Sequence, residues 1–199
     1  QRGEQAEVVD YFIIMGYDEH YSGSEPGSVA SLSFEKEGIE ATIAEGVPAD
    51  KIISGVPFYT RLWKTDTNGE VSSEAIGMDR ADATLEANGV TANRSDETSQ
   101  DYAEYHDPDG ALYQIWLENE ASIELKAKLV PEYQQAGIAA WKLGFELCRM
   151  IVRYLRLQYF YFVLPLNIHH LIICNQNLPI AFYKMNQNLL SNHYLPCVP

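Results

Sequence analysis

The sequence predicts an α/β protein built on a parallel sheet, with a small α+β insertion and an atypical C-terminal segment. Apolar runs at residues 8–15, 51–59 and 138–143 show little polar alternation, which is typical of strands buried on both faces of a parallel sheet. Amphipathic stretches separate these runs, as in βαβ units. The composition then changes abruptly after residue 146.

The first βαβ unit begins with a predicted strand over residues 8–15. After a loop rich in serine and glycine, Ser33 is a candidate N-cap for a helix over residues 34–45. Residues 51–59 form the second predicted strand. This order of strand, loop, helix and strand predicts parallel pairing of the two strands.

Residues 64–117 interrupt the parallel pattern and predict a small α+β insertion. A helix is predicted over residues 78–88, followed by strands over residues 100–106 and 111–117. The turn Asp107-Pro108-Asp109-Gly110 joins these two strands and places proline and glycine where a tight reversal favours them.

The parallel pattern resumes with an amphipathic helix over residues 122–136, which should bury Leu125, Leu129 and Val130. Residues 138–143 form the third buried strand. The first 146 residues are therefore expected to form one folded unit.

Charge is distributed unevenly along the 199 residues, whose formal net charge is -14. All 28 aspartates and glutamates precede residue 147, so that residues 1–146 carry -18 and the tail carries +4. The acidity argues against nucleic acid as a partner, because phosphate binding needs clustered lysine and arginine. A sugar or another neutral or cationic ligand suits this surface better.

The tail over residues 147–199 has a different amino-acid composition, rich in leucine, isoleucine, tyrosine, asparagine and glutamine. Beyond a helix-like stretch at residues 147–157, we expect an out-of-frame or read-through extension that packs irregularly. Polar residues interrupt its apolar runs well short of the ~20 residues that a membrane span needs. Its three cysteines match no metal-ligand spacing, and we predict neither metal nor cofactor. The start lacks a methionine and a leader, so the chain is expected to begin within a longer protein.

Polar and aromatic side chains follow each of the three predicted parallel strands. They are Tyr17 and Asp18, then Tyr59 and Arg61, then Trp141. Strand ends of a parallel α/β barrel meet at the face that carries active sites. Sugars stack on indole rings and bind charged groups through their hydroxyls. Three structural alternatives remain open. Trp141 could be a core residue, the Tyr–Asp pair could form a structural hydrogen bond, and Arg61 could stack on Trp63 at the surface.

Three ordered motifs carry a resemblance to family 18 glycoside hydrolases. Met15-Gly16-Tyr17-Asp18 is similar to the M-x-Y-D motif of the family's sixth strand. Residues 55–61 are similar to G-x-P-x-Y-x-R on the seventh strand, and residues 137–141 to the eighth strand with its tryptophan. The resemblance covers about residues 6–146 and implies a partial (β/α)8 TIM barrel, strands six to eight. Residues 64–117 occupy the place of the family's α+β insertion.

The resemblance implies a β-1,4-linked polymer containing N-acetylglucosamine as substrate, with peptidoglycan preferred to chitin. The motifs look closer to bacterial cell-wall and spore-cortex hydrolases, which implies an extracellular, cell-wall or spore location for the parent. The implied mechanism is retaining hydrolysis assisted by the substrate's acetamido group. Tyr17 would then bind the acetamido carbonyl, Asp18 would orient the sugar and Trp141 would form the floor. Tyr59 and Arg61 would line the cleft.

The family's catalytic acid lies in a D-x-x-D-x-D-x-E motif, which this chain lacks. Residues 79–86 reproduce this motif only in part, and Glu86 is expected to be a solvated helix residue. The chain alone is therefore expected to be inactive, and the N-terminal half of the barrel is its expected partner. The other interpretations are a non-catalytic carbohydrate-binding module and a truncated gene product without function.

Overall fold

A computed structural model describes residues 1–142 and 144–145, together with the backbone of residues 160–163, 170–173 and 181–184. The helices are α1 (Arg2–Ala6), α2 (Leu32–Ala44), α3 (Met78–Ala87) and α4 (Glu120–Glu132), with a 3-10 turn at Ala49–Lys51. The strands are β1 (Phe12–Met15), β2 (Ile52–Pro57), β3 (Tyr59–Thr65), β4 (Val71–Gly77), β5 (Asn93–Ser95), β6 (Gln100–His106), β7 (Leu112–Leu117), β8 (Gly137–Trp141), β9 (Phe160–Val163), β10 (His170–Ile173) and β11 (Ala181–Lys184).

The first sheet has the order β1-β2-β8-β9-β10-β11, and its first three strands come from the predicted parallel units. β1 pairs in parallel with β2, and β2 with β8. Met15, Gly55 and Ala139 are register partners across these strands and therefore face the same side of the sheet. α2 connects β1 to β2, which confirms the predicted parallel βαβ unit.

β1 is shorter and more exposed than the sequence predicted. It begins at Phe12 and alternates between half-buried and exposed residues, with Ile13 44% and Met15 72% exposed. β2, by contrast, is buried along its whole length. The prediction of two buried faces for residues 8–15 was wrong because β1 lies at the end of this sheet within the described residues, so that only its outward side chains pack.

Two predicted helix starts also need correction. α2 is capped by Ser31, whose hydroxyl accepts a hydrogen bond from the amide of Phe34 at 3.2 Å, and not by Ser33. α4 begins at Glu120 after an Asn119 capping box, two residues before the predicted start. Within α4, Leu125 is half-buried, and Ile123 and Lys126 are buried in its place.

The insertion is an antiparallel sheet with the order β4-β3-β7-β6-β5, covered by α3. Its first strand begins at Tyr59, so that Arg61 and Trp63 belong to this sheet and not to the end of β2. Trp63 is 1% exposed, and its Nε1 donates a hydrogen bond to the carbonyl of Gly27 at 2.9 Å. This contact fixes the loop between β1 and α2 against the insertion.

A buried polar cluster joins the insertion to α4. Glu118, directly after β7, accepts hydrogen bonds from Gln100 at 2.7 Å and from Ser122 at 2.7 Å. Lys126 on α4 forms an ion pair with the same carboxylate, and both side chains are at most 2% exposed. Gln100 in turn accepts a hydrogen bond from Ser28 in the loop after β1. The cluster therefore connects three segments around one neutralised charge pair.

The tail contains backbone strands at three places. β9 pairs in parallel with β8, while β9, β10 and β11 pair with one another in antiparallel fashion. The expectation of irregular packing was wrong for these segments, whose aromatic and aliphatic residues favour strands. The predicted helix over residues 147–157 lies outside the described residues. Of the helices described, none has the length and apolar character to cross a membrane.

Glu35 is a buried carboxylate in the first turn of α2. Its side chain is 1% exposed, and neither oxygen has a hydrogen-bond partner among the described residues. Burial raises the pKa of Glu35 to about 8, an effect that Lys126 opposes and that Glu118 and Glu19 reinforce. The folded chain therefore holds a proton on this carboxyl at neutral pH.

This raised pKa predicts that stability falls as pH rises. The reference pKa of the carboxyl is 4.5 and the folded value is about 8, so that between these values the folded state binds more protons than the unfolded state. From pH 6.5 to 7.5, the free energy of unfolding should decrease by up to about 1.4 kcal/mol more than in Glu35→Gln. Urea unfolding at both pH values measures this difference. Equal pH dependence in the two proteins would contradict it.

Candidate functional site

A cleft of about 530 Å³ opens at the carboxyl ends of β1, β2 and β8. We call it the inner cleft, and it is lined by Ile13, Met15, Tyr17, Asp18, Gly55, Tyr59, Ala139, Ala140 and Trp141. Four of the five predicted site residues lie here. The parallel topology brings them together because each follows or ends a strand at the same edge of the sheet.

Asp18 and Tyr59 form the polar centre of the inner cleft. The hydroxyl of Tyr59 donates a hydrogen bond to Oδ1 of Asp18 at 2.6 Å. Asp18 has a φ of 63°, in the left-handed region that aspartate tolerates better than most residues. Tyr59 starts β3 immediately after β2 ends, so that its ring returns over the cleft. A left-handed turn and a strand junction thus fix this pair.

Aromatic rings surround the pair. The ring centroid of Tyr17 lies 6.2 Å from that of Tyr59 in an edge-to-face arrangement, and 6.4 Å from that of Trp141. Trp141 ends β8 and is half-buried, so that one part of its indole packs while another lines the cleft. Tyr59 also contacts Phe145, which the sequence did not indicate, with 6.5 Å between the two ring centroids. The apolar surface suits the C–H face of a pyranose ring.

Both tyrosines keep their protons at neutral pH. Burial raises the pKa of Tyr59, and its hydrogen bond to Asp18 raises it further, since the phenolate would lie beside a carboxylate. The pKa of Tyr17 is also raised, first by burial and then by the charge of Asp18. The two hydroxyls are therefore hydrogen-bond donors over the physiological pH range.

Gly55 provides the space of the cleft floor. A Cβ at this position would lie 2.8 Å from the carbonyl oxygen of Ile14, closer than side chains approach backbone. Gly55 and Ala139 are register partners, which keeps the middle of the floor flat. The sequence analysis missed both residues, although alternate positions along each predicted strand would have indicated them.

Arg61 does not line the inner cleft. Its side chain is half-buried on β3, and its Nη1 donates a hydrogen bond to Ser73 of β4 at 3.0 Å. Residue 61 lies on β3 of the insertion sheet, beyond the end of β2. The guanidinium remains close enough to Tyr59 to lower the pKa of its hydroxyl slightly against the dominant effect of burial.

Two carboxylates outside the inner cleft, Glu86 and Glu19, are the candidates to substitute for the family's acid. Glu86 is exposed on α3, as expected for a solvated helix residue. Glu19 accepts hydrogen bonds from the amide of Ser31 at 2.6 Å and from its hydroxyl at 3.0 Å. It therefore stabilises the start of α2. Among the described residues, Asp18 is the one carboxylate that lines the inner cleft, and no cluster of potential metal ligands is present.

Comparison with known proteins establishes the class. Residues 3–146 match the sequence profile of the glycosyl hydrolases family 18, and the chain belongs to this family. Its α/β fold is that of family 18 chitinase domains. The crystal structure of a chitinase from Chromobacterium violaceum is 28% identical, has a TM-score of 0.68 and covers 74% of this chain and 45% of that chain.

Within the family, the chain resembles the bacterial cell-wall hydrolase branch. The putative sporulation-specific glycosylase YdhD of Bacillus subtilis is 36% identical over 68% of this chain and 32% of its own length. The cortical fragment-lytic enzyme of the same organism is 29% identical over 69% of this chain and 32% of its own length. The chain thus spans about a third of the length of these curated relatives.

Proposed function

We propose that this chain is the part of a family 18 glycosidase that forms strands six to eight of a (β/α)8 barrel. Residues 1–146 would be the barrel part, with the insertion at residues 64–117, and residues 147–199 an atypical tail. The three parallel strands and the separate antiparallel sheet support this division. The N-terminal half of such a barrel would be the partner that completes the active site.

The substrate we propose is a β-1,4-linked polymer of N-acetylglucosamine, with peptidoglycan preferred to chitin. The observation that carries this proposal is the Asp18–Tyr59 hydrogen bond of 2.6 Å, enclosed by the rings of Tyr17 and Trp141. The spore-cortex relatives support peptidoglycan and a cell-wall or spore location for the parent.

Each residue has a defined task in this proposal. Trp141 stacks against the sugar at the reacting position. Tyr17, which keeps its proton, donates a hydrogen bond to the acetamido carbonyl of the substrate. Tyr59 fixes one oxygen of Asp18, so that the carboxylate keeps one orientation towards the sugar. The retaining reaction uses the acetamido oxygen as nucleophile, and the acid that protonates the leaving oxygen would come from the N-terminal half.

Sugar binding tests this proposal directly. We expect the full chain to bind a tetramer of β-1,4-linked N-acetylglucosamine or peptidoglycan fragments in isothermal titration calorimetry. Trp141→Ala and Asp18→Ala should each weaken binding by roughly ten- to hundredfold, because each removes a stacking surface or a charged hydrogen bond. Trp116→Ala is the control, since this tryptophan packs against Tyr102 in the insertion, outside the inner cleft. Unchanged affinity in both cleft variants would reject the site.

A non-catalytic carbohydrate-binding module is the second candidate. It is favoured by the composition of the inner cleft, because Asp18 is the one carboxylate that lines it among the described residues. Hydrolysis of the same sugars separates the two candidates when the N-terminal half of a relative is added. Turnover by the chain without that half would contradict the expected inactivity, and its loss in Glu19→Gln or Glu86→Gln would identify the acid.

A further inference from the structure

A second groove lies on the outer side of β1, between this strand and α2. It has a volume of about 470 Å³ and is lined by residues that include Arg2, Phe12, Ile14, Gly16, Phe34 and Glu35. We call it the outer groove. Unlike the inner cleft, it contains none of the proposed sugar-binding residues.

The outer groove borders a strand that is paired on one side. Among the described strands, β1 pairs with β2 and ends the sheet. Its other edge carries backbone N–H and C=O groups that can pair with a further strand. The exposed side chains of Ile13 and Met15 lie on this same strand. An additional parallel strand here would extend the sheet and cover both features.

Glu35 gives the groove a chemical preference. A Cβ on Gly16 would lie 2.2 Å from Oε2 of Glu35, so the carboxyl occupies the space that a side chain at residue 16 would take. Both carboxyl oxygens lack hydrogen-bond partners among the described residues. Such a group is stabilised when a donor, above all a cationic one, reaches it.

The charged groups around Glu35 have partners of their own. Lys126 forms an ion pair with Glu118, and Glu19 is hydrogen-bonded to Ser31. Arg2 lines the outer groove but forms an ion pair with Glu45 at 2.8 Å. Glu35, Glu118 and Glu19 therefore share one buried lysine, Lys126, which is already paired with Glu118.

We infer that the outer groove is the docking site of a chain segment that pairs with the free edge of β1 and delivers a basic side chain to Glu35. The segment would belong to the N-terminal half of the barrel, so the inference rests on the proposed barrel completion. Glu35 then acts as the receptor for a guanidinium or ammonium group in the layer between sheet and helices.

The groove favours this occupant over a second copy of the chain. Family relatives extend well beyond the matched region, since the chain covers 45% of the chitinase structure and 32% of the glycosylase sequence. A second copy would bring another unpaired Glu35 and an Arg2 that is already bound to Glu45. Two copies also repel each other, because each has a formal charge of -14.

The test adds the segment of the Bacillus subtilis glycosylase YdhD that precedes the region matched by this chain. Association with the full 199-residue chain is measured by calorimetry between pH 6 and pH 8. We expect affinity to rise by up to about tenfold per pH unit, because pairing with a cation releases the proton that buried Glu35 holds. Binding heats in buffers of different ionisation enthalpy count that proton.

Variants at Glu35 decide the outcome. Glu35→Gln and Glu35→Met should weaken association at pH 8 by at least about tenfold and remove its pH dependence. Glu37→Gln is the matched control, because Glu37 is an exposed glutamate of the same helix. Circular dichroism verifies that each variant is folded.

Three results would overturn the inference: no association, association that is equally strong in Glu35→Gln, or self-association that excludes the added segment. The sugar-binding experiment separates this failure from a failure of the proposed function. Wild-type affinity for the sugar with no Glu35-dependent docking would reject the outer groove and leave the inner cleft intact. Docking without any sugar binding would reject the inner cleft as a sugar site and leave the outer groove intact.

Discussion

Replacing Lys126 by methionine should lower the free energy of unfolding by about 3–5 kcal/mol. The ammonium group is 2% exposed and neutralises Glu118, whose side chain is fully buried. Methionine would leave this carboxylate without a counter-ion beside Ser122 and Gln100. Urea unfolding at pH 8 measures the loss, which should be smaller at pH 5, where Glu118 can take up a proton more easily.

Two variants show whether the charge is responsible for that loss. Lys128→Met removes an exposed lysine from the same helix, whose partner is Glu124 at 3.2 Å, and should change stability by less than about 0.5 kcal/mol. Glu118→Gln combined with Lys126→Met should recover part of the loss, because the buried group is then neutral. Equal decreases of the free energy of unfolding in Lys126→Met and Lys128→Met would show that the buried Lys126–Glu118 pair is no more important for stability than an exposed pair.

Trp63→Ala should destabilise the chain by a similar amount, about 3–5 kcal/mol. The indole is almost completely buried, and its Nε1 bonds to the carbonyl of Gly27. The substitution removes both the packed volume and the contact that fixes the loop after Asp18. Thermal or urea unfolding measures the loss, and sugar affinity should fall with it as the loop loosens.

A second variant at the same residue separates packing from hydrogen bonding. Trp63→Phe keeps most of the buried volume and should cost about 1–2 kcal/mol through the unpaired carbonyl of Gly27. Trp116→Ala, a half-buried tryptophan of the same sheet, should cost less than Trp63→Ala. If Trp63→Ala, Trp63→Phe and Trp116→Ala had the same free energy of unfolding, the contact between the insertion and the loop would not contribute to stability.

Much of the fold could be predicted from sequence because the parallel strands and their helices have strong local signals. The turn at residues 107–110 and the strand Gln100–His106 were predicted at their observed positions. The sequence analysis did not predict β3 and β4 as separate strands. The antiparallel ladder between them depends on pairing partners that a local pattern does not reveal. The exposure of β1 likewise depends on what lies beside it.

The site was predictable to the extent that strand ends determine it. Tyr17, Asp18 and Trp141 follow from the parallel topology, whereas Arg61 lies on β3 because the chain leaves the parallel sheet at Phe58. The 2.6 Å bond from Tyr59 to Asp18 joins residues on different strands, and its geometry depends on the left-handed turn at Asp18. The burial of Glu35 gave no sequence signal at all, since glutamates in a first helical turn are common at the surface.

The shared space of Gly16 and Glu35 limits how this protein can diverge. Because the carboxyl fills the volume beside the glycine Cα, a mutation that adds a side chain at position 16 requires the end of the Glu35 side chain to move. A shorter residue at position 35, such as Asp, Ser or Ala, would leave more room for a side chain at position 16. The two positions are therefore expected to vary together, so that the residue on α2 influences which residues can follow β1.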